Sequence, residues 1–284
     1  MKIRDLEKKD FPPLLLEIND PPEKMRIIGD IPKTEKYLCV VGSRKYSEYG
    51  RTVCEKLIEG LRGYSITIVS GLALGLDSIA HKAALKAGLP TVAIPGSGLG
   101  DKVLYPSSNR ELASKIVDAG GALISEFDDN FRATPYSFPQ RNRIMAGMSH
   151  ATLVIEAELK SGTLITSKYA IEYNRDVLTI PHSIFSKTSE GPHMLLRLGA
   201  TPITQSSDIV TALGLRSRDE LLQVRDYSDC STDELELIDI LKEPLSRDEI
   251  IRRLGKPVYV TQTIIATMEI KGLIEEVMGE IHLK

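Results

Sequence analysis

The sequence predicts an α/β fold: an extended Rossmann-like, mostly parallel sheet with helices on both faces, followed by a small C-terminal winged-helix domain. Short apolar runs alternate with helical patterns over residues 37–215, which is typical of strand–helix units that build a parallel sheet. Residues 216–232 are polar and acidic and predict a linker. Residues 233–284 contain three amphipathic segments before a hairpin-like pair, the order of elements in a winged helix.

The N-terminal segment, residues 1–36, contains short hydrophobic pieces such as FPPLLLEINDPP. Prolines and glycines break these pieces repeatedly. We therefore interpret this segment as a lead-in to the first domain and not as a domain of its own.

The larger domain is predicted from the order of its apolar runs. YLCVVG, ITIVSG and TVAIPGSG are short and rich in β-branched residues, and TVCEKLIEGLR and DSIAHKAALKAG between them have helical periodicity. The same alternation continues through ELASKIVDAG, GALISEF, HATLVIEA, TLITSKYAIEYN and DVLTIPHS. Repeated units of this kind predict parallel strands with both faces of the sheet covered.

The smaller domain is predicted from the segments ELELIDILKE, SRDEIIRRLG and VTQTIIATMEIKG, each with helical periodicity. LIEEVMGEIHL follows them and predicts two strands joined around Met278 and Gly279. Three helices and a two-stranded wing are expected.

Charge and composition limit the kinds of partner. The net charge is −3 and the pI is near 6.0, so a nucleic-acid site would have to be a local basic patch. Residues 225–284 carry 8 lysines and arginines against 13 acidic residues, a charge of −5, which leaves +2 for the preceding residues. Such a site is therefore expected in the larger domain.

Cysteine usage and hydropathy favour a cytoplasmic protein. Cys39, Cys54 and Cys230 are an odd number, widely spaced and without a CxxC pair, which disfavours a disulfide framework or a zinc site. The first residues lack a hydrophobic leader, and no long apolar run follows. We expect no membrane association and no metal.

Two of the turns that follow predicted strands are candidate anion sites, because ligands collect at the carboxyl ends of parallel strands. In VVGSRKYSEYG, Gly42 allows close approach, Ser43 offers a hydroxyl and Arg44 offers a charged fork; an ordinary turn is the alternative. In IVSGLALGLDSIAH, Ser70 and Gly71 begin the turn. Asp77 is expected to cap the next helix and to pair with His81 along one helix face, without catalysis.

Two further segments carry denser polar groups. FPQRNRIMAG contains Gln140, Arg141, Asn142 and Arg143 beside Phe138, and these groups can bind phosphates or base edges; the alternative is that Asn142 and one arginine fix local structure. LKSGTLITSKYA places Lys160, Ser161, Gly162 and Thr163 at a predicted helix start, with Lys168 farther along. Hydroxyls, amides and lysines at a helix N-terminus predict a phosphate site beyond simple capping.

The turns lack the patterns of common cofactor sites. No glycine-rich loop ends in the glycine-lysine-Ser/Thr of a Walker A motif, which disfavours ATP hydrolysis. No turn has regular GxGxxG spacing with a partner acid, which disfavours a nicotinamide cofactor. We expect no cofactor.

Several blocks, taken in order, resemble the signature segments of the DprA/Smf family of DNA-processing proteins. They are VGSR, SGLALGLDSIAHKAAL, AIPGSGLGDKVLYPSSNREL, GALISEF, FPQRNRIMAG, VIEAELKSGTLITSKYA and the run from DVLTIPHS to MLLRLGA. The resemblance covers about residues 11–210, and the C-terminal segment resembles the family's variable tail domain.

The resemblance implies a homodimer without a catalytic step. It implies that the protein binds single-stranded DNA in natural transformation, protects it and helps to load the RecA recombinase. The DNA contacts implied by matching positions are Gly42, Ser43, Arg44, Ser70, Gly71, Gln140, Arg141, Asn142, Arg143, Lys160, Ser161, Gly162, Thr163 and Lys168. The sequence departs from the family at His182, His193 and Gly100, where glycine, asparagine and aspartate are usual.

Two other interpretations remain. The first is a nucleotide phosphoribohydrolase-like enzyme of the lysine-decarboxylase-like Rossmann group, whose PGGxGTxxE motif corresponds here to LKSGTLIT; Thr166 stands where the glutamate would be, although Glu156 and Glu158 lie nearby. The second makes the winged helix the DNA reader. Its third helix contains few cations, which favours a protein-interaction or regulatory role for the tail.

Overall fold

The computed structural model describes residues 2–216, 230–241, 244–277 and 279–283. The chain divides into two compact units, Met1–Ser217 and Arg218–Lys284. Most of the predicted linker, residues 217–229, lies outside the described residues. The lead-in segment belongs to the larger unit.

The larger unit is built on a sheet that has nine strands among the described residues. Their order is β1-β2-β6-β5-β4-β3-β7-β8-β9. The strands from β6 to β9 in this order are parallel to one another, and β2 is antiparallel to both of its neighbours, β1 and β6. This confirms the predicted mostly parallel sheet. The strands are β1 (Arg4–Leu6), β2 (Met25–Gly29), β3 (Lys36–Val41), β4 (Ile66–Ser70), β5 (Thr91–Ala93), β6 (Ala122–Ser125), β7 (Ala151–Val154), β8 (Asp176–Thr179) and β9 (Thr201–Pro202).

Helices cover both faces of this sheet because the side chains of its central strands alternate between two apolar cores. In β3, Leu38 and Val40 belong to one core, and Cys39 and Val41 belong to the other. The helices are α1 (Pro13–Leu16), α2 (Glu48–Glu59), α3 (Leu76–Ala87), α4 (Arg110–Asp118), α5 (Ser137–Met148), α6 (Thr163–Glu172), α7 (Glu190–Arg197) and α8 (Ser206–Ala212). Helices α2, α3 and α8 pack on the first core, and α1, α5, α6 and α7 on the second.

The strand order reverses beside β3. Strands β4, β5 and β6 continue to one side of β3, while β7, β8 and β9 continue to the other. At such a switch point the loops after two neighbouring strands diverge to opposite faces and leave a crevice at the carboxyl edge. The sheet therefore fixes a candidate site beyond β3 and β7.

The smaller unit contains the predicted winged helix. Its elements are α9 (Thr232–Ile240), β10 (Leu245–Ser246), α10 (Arg247–Leu254), α11 (Val258–Ile270), β11 (Ile274–Val277) and β12 (Glu280–Leu283), with strands in the order β10-β12-β11. The hairpin has the predicted position, although Met278 lies outside the described residues. Among the helices that the model describes, none is both long and apolar enough to cross a bilayer.

Candidate functional site

A cleft of about 710 Å³ lies beyond the carboxyl ends of β3 and β7. This volume falls in the usual range for small-ligand sites. Four chain segments form its walls: the turns after β3, β4 and β7, and the first two turns of α5. Of the predicted site residues, the cleft brings together Gly42, Ser43, Arg44, Arg141, Asn142, Lys160, Ser161, Gly162 and Thr163.

Glycines bring the turns after β3 and β4 into direct contact. A Cβ on Gly42 would lie 2.4 Å from Leu76 Cδ1, and one on Gly75 would lie 2.5 Å from the Ser43 carbonyl oxygen. Gly75 also has φ +87°, a conformation that side chains rarely adopt. The two turns are therefore held in one fixed arrangement by packing.

The turn after β3 exposes its cations at the cleft. The Ser43 hydroxyl donates to the Lys45 carbonyl oxygen at 2.7 Å and accepts from the Lys45 amide at 3.0 Å, which fixes the backbone around Arg44. The exposed Arg44 guanidinium lies 5.2 Å from the centroid of the Phe138 ring, a cation–π distance. Phe138 lies against Gly96, where a Cβ would be 2.6 Å from the ring.

A buried arginine and a buried aspartate meet beneath the cleft. Arg141 is only 5% exposed, and its Nη1 donates to the carbonyl oxygens of Gly71 and Ile94. Burial raises the pKa of Asp77, while the charge of Arg141 and the amides of Ala73 and Gly71 oppose that rise. Burial likewise lowers the pKa of Arg141, which Asp77 opposes. The pair forms a rigid polar floor.

This arrangement corrects two expectations about α3. Asp77 makes no side-chain capping bond to α3, which begins after Gly75; instead it accepts from the amides of the preceding turn. His81 does not pair with Asp77, since its buried Nδ1 lies 2.7 Å from the Thr91 hydroxyl. Both side chains contact the turn and strand beside them and not each other.

The turn after β7 presents the start of α6 to the cleft. Lys160 is exposed, and the Ser161 hydroxyl accepts from the Thr163 amide at 3.2 Å. Asn142 Nδ2 donates to the Gly162 carbonyl oxygen at 3.3 Å, so this amide side chain joins α5 to the turn. The structural alternative considered for Asn142 therefore has a specific contact, although Asn142 also lines the cleft.

Two buried polar atoms belong to residues that line the cleft. Arg141 Nε and Thr166 Oγ1 are buried, and neither forms a hydrogen bond with any residue that the model describes. Buried polar atoms are normally paired, because an unpaired one loses its hydration without compensation. Both atoms are exceptions to this pattern beneath the cleft surface, and because they are buried they are not themselves presented to a ligand.

The other predicted residues lie outside the cleft lining. Ser70 is buried, and its hydroxyl donates to the Val40 carbonyl oxygen at 2.6 Å. Gly71 lines a smaller depression beside the cleft, and a Cβ at this position would lie 1.8 Å from Arg141 Nη1. Arg143 pairs with Glu126 and Asp20. Gln140 is exposed but does not line the cleft, and neither does Lys168, whose Nζ lies 3.7 Å from Glu172. For Arg143 the contacts favour a structural role.

Several residues that line the cleft were absent from the predicted set. Lys45 follows Arg44 directly, so its charge was a usable signal in the sequence. Met145, Ile165 and Thr166 contribute apolar or hydroxyl surface at helical spacing that looked like ordinary core. Glu158 also lines the cleft and is its exposed acidic residue.

The second nearby acid, Glu156, points to a different role. It is 1% exposed and does not line the cleft. Its Oε2 accepts from the Ser47 amide at 2.9 Å, and its Oε1 accepts from the Ser47 hydroxyl. Because Ser47 is the N-cap of α2, this carboxylate stabilises the start of a helix.

The cations of the two units differ in their partners. Arg44, Lys45 and Lys160 are exposed at the cleft and form no ion pair with any residue in the described ranges. In the smaller unit, by contrast, all five described lysines and arginines pair with carboxylates; they are Arg247, Arg252, Arg253, Lys256 and Lys271. The cleft is thus where unpaired positive charge collects.

Family models match both units. The model described as DNA recombination-mediator protein A matches residues 2–214, and the model described as DprA winged helix domain matches residues 228–280. Protein Smf from Escherichia coli (strain K12) is 36% identical over 278 residues, covering 95% of this chain and 74% of that protein.

Two solved structures are similar to the larger part of the chain. DNA processing protein A from Streptococcus pneumoniae is 38% identical, with a TM-score of 0.67 over 74% of each chain. DNA processing protein A from Helicobacter pylori is 27% identical, with a TM-score of 0.67 over 75% of this chain and 95% of that one. The latter structure was described for its single-stranded DNA binding mode.

Proposed function

We propose a function from the premise that the chain belongs to the DNA recombination-mediator protein A (DprA/Smf) family: it binds single-stranded DNA without reading its sequence. The family match spans most of the chain, and the Helicobacter pylori relative is described as binding single-stranded DNA. The proposed site is the cleft beyond β3 and β7.

The observation that carries this proposal is the set of three unpaired cations around the cleft. Arg44, Lys45 and Lys160 come from the turns after two neighbouring strands, so they flank one opening. Exposed cations without a carboxylate partner are available for phosphates, whose neutralisation releases condensed counterions from DNA. The N-terminus of α6 adds amides and a favourable dipole for the same anions.

The geometry favours backbone contacts over base readout. Turn amides and the Ser161 and Thr163 hydroxyls hold phosphates, while Arg44 and Lys160 supply charge. Phe138 offers a ring that any base can stack on, since every base has an aromatic face. Binding of this kind tolerates any sequence and weakens steeply with salt.

The smaller unit has another role in this proposal. Its described cations are paired with carboxylates, and α11, the helix in the position of a recognition helix, contains no lysine or arginine. Phosphate contacts would require these ion pairs to break. We assign the winged helix to protein interaction.

The wider role follows from the family. We propose that the protein protects incoming single strands and helps to load RecA in natural transformation, and that it acts as a homodimer. Two linked clefts would raise the avidity for long strands if both engage the same strand.

Fluorescence anisotropy with an unstructured oligonucleotide, single-stranded against duplex, tests the proposed function. Arg44→Ala combined with Lys160→Ala should abolish a preference for the single strand and lower the slope of log affinity against log salt by about 0.7 for each lost phosphate contact. Lys168→Ala is the matched control, because this exposed lysine lies outside the cleft lining. Absence of single-strand binding by the wild type at low salt would refute the proposal.

A phosphoribohydrolase-like enzyme has less support. The motif glutamate of that group is replaced by Thr166, and Glu156 is engaged at the N-terminus of α2. Incubation with nucleoside monophosphates should release no free base. Release that depends on Glu158, the acid that does line the cleft, would instead support the enzyme.

A further inference from the structure

The loop between β8 and α7 exposes two adjacent bulky apolar side chains. Ile184 is 79% exposed and Phe185 is 92% exposed. Burial of a large apolar side chain is favourable, so a neighbouring exposed pair would gain stability from anything that covers it. Clustered exposed apolar residues commonly mark a contact surface.

This loop is attached to one wall of the cleft. The Ala157 amide donates to the Thr188 carbonyl oxygen at 2.9 Å, and the Gly191 amide donates to the Ala157 carbonyl oxygen at 2.8 Å. A Cβ on Gly191 would lie 2.6 Å from that same oxygen, so the contact is close. Ala157 directly precedes Glu158, the first residue of the cleft wall that contains Lys160.

The loop is also attached to the opposite wall. The Tyr49 hydroxyl donates to the Pro181 carbonyl oxygen at 3.1 Å, and its ring packs edge-on against His182 at 5.0 Å between centroids. Tyr49 lies in the first turn of α2, which follows the turn that carries Arg44 and Lys45. The loop that carries the exposed pair is therefore anchored to Ala157, which precedes one wall, and to Tyr49, in the helix that follows the other.

The charge beside the exposed pair matches that of the cleft. Lys187 is exposed and forms no ion pair with a residue of the described part. Lys187 lies two residues after Phe185 in the same loop. An aromatic ring with a cation in the same loop is suited to single-stranded nucleic acid, because the ring can stack on a base while the cation contacts a phosphate.

We propose that Phe185 is a base-stacking platform for the strand where it leaves the cleft, with Lys187 contacting the adjoining phosphate. This inference rests on the proposed function of the cleft. The strand is the favoured occupant because the loop is hydrogen-bonded to Ala157, which precedes the wall that contains Lys160, and because Lys187 carries the same charge as the cleft. A second copy of the chain is the competing occupant. Stacking on one ring adds affinity without sequence preference.

Phe185→Trp provides a direct readout, since the chain contains no tryptophan. A strand of about 16 nucleotides should quench this fluorescence, whereas a strand of about 4 nucleotides, which fills only the cleft, should quench it much less. A long strand with abasic sites outside the cleft should also fail to quench it. Ile171→Trp, an exposed position near the opposite end of α6, is the control and should be insensitive to every strand.

Phe185→Ala should reduce the affinity ratio of the long strand over the short one by about 5-fold or more, and Phe185→Tyr should preserve it. Unchanged tryptophan fluorescence while anisotropy reports bound long strand would overturn the proposal and leave the proposed function intact. An altered oligomeric state of Phe185→Ala in light scattering, with an unchanged affinity ratio, would assign the surface to a second copy and also overturn it. If the wild type binds no single strand at all, the proposed function itself fails.

Discussion

Substitution of the buried Glu156 tests whether this carboxylate stabilises the start of α2. Glu156→Ala removes two charge-assisted hydrogen bonds to Ser47, each worth about 1.5–3 kcal/mol. The loss is offset in part because the charge no longer has to be buried. We expect a net decrease of about 3 kcal/mol in the unfolding free energy, or roughly 6–12 °C in the Tm of the larger unit.

A second variant tests the geometry behind that number. Gly50, in α2, has no room for a side chain, since a Cβ would lie 2.5 Å from Glu156 Cδ. Gly50→Ala should therefore destabilise the wild type. In the Glu156→Ala background the same change meets empty space and should stabilise the helix by about 0.5–1 kcal/mol, the ordinary preference of a helix for alanine.

Urea unfolding followed by circular dichroism measures all four proteins of this cycle. Glu158→Ala is the control, because this exposed acid should change the unfolding free energy by less than about 0.5 kcal/mol. Its removal should also raise the affinity for single-stranded DNA, as it takes a negative charge from the cleft. The reasoning would be refuted if Glu156→Ala lay within about 1 kcal/mol of the wild type or if Gly50→Ala cost the same in both backgrounds.

Three further results are expected. Burial lowers the pKa of His81 from 6.5 to about 3, so the folded state binds fewer protons than the unfolded chain between these pH values. The unfolding free energy should therefore fall as the pH decreases below 6.5, by about 1 kcal/mol over the first pH unit. His81→Asn should reduce this pH dependence in urea titrations. Removal of residues 218–284 should preserve most of the affinity for single-stranded DNA, and loss of nearly all affinity in a folded fragment would assign the binding to the smaller unit. Arg143→Gln should lower the unfolding free energy by about 1–3 kcal/mol, because it leaves Glu126 without its partner, while the anisotropy of folded protein should report unchanged affinity.

The strands and helices with strong periodicity were predictable, whereas the short elements at the edges were not. β3 and β4 are continuous apolar runs because both of their faces are buried. β2, by contrast, lies in a segment broken by prolines and pairs antiparallel to β6, so nothing in its own five residues distinguishes it from a turn-rich lead-in. Its place depends on a strand almost one hundred residues later.

The site was predictable to the extent that it lies at strand ends. Turns after parallel strands meet at one edge of a sheet, so Arg44 and Lys160 could be placed together from the sequence. On α5, Arg141 and Arg143 are two residues apart and therefore point about 200° apart around the helix, which is why Arg141 lines the cleft while Arg143 contacts Glu126. A cluster of adjacent polar residues does not reveal which of them face a ligand until the direction of the helix is known.

One departure from the family pattern has a local explanation. Gly100 stands where aspartate is common in the family, and a Cβ at this position would lie 2.7 Å from the Asp129 carbonyl oxygen. The Gly100 amide donates to that oxygen at 2.9 Å. A side chain here would require this loop contact to shift, so the glycine and the present loop conformation belong together.

The glycines that allow the turns around the cleft to pack closely also influence the free energy of DNA binding. A Cβ added at Gly42, Gly71, Gly75 or Gly96 would lie 2.6 Å or less from a neighbouring atom, so the turns around the cleft are closely packed. We therefore expect most of the ordering on association to occur in the DNA. A DNA strand whose bases are already unstacked loses less free energy on binding than one that must first separate its stacked bases. Oligothymidine should therefore bind more tightly than oligoadenine, although the site contacts no base edge. A cleft that does not read base edges would thus still prefer strands of one base composition, because base stacking stiffens some free strands more than others.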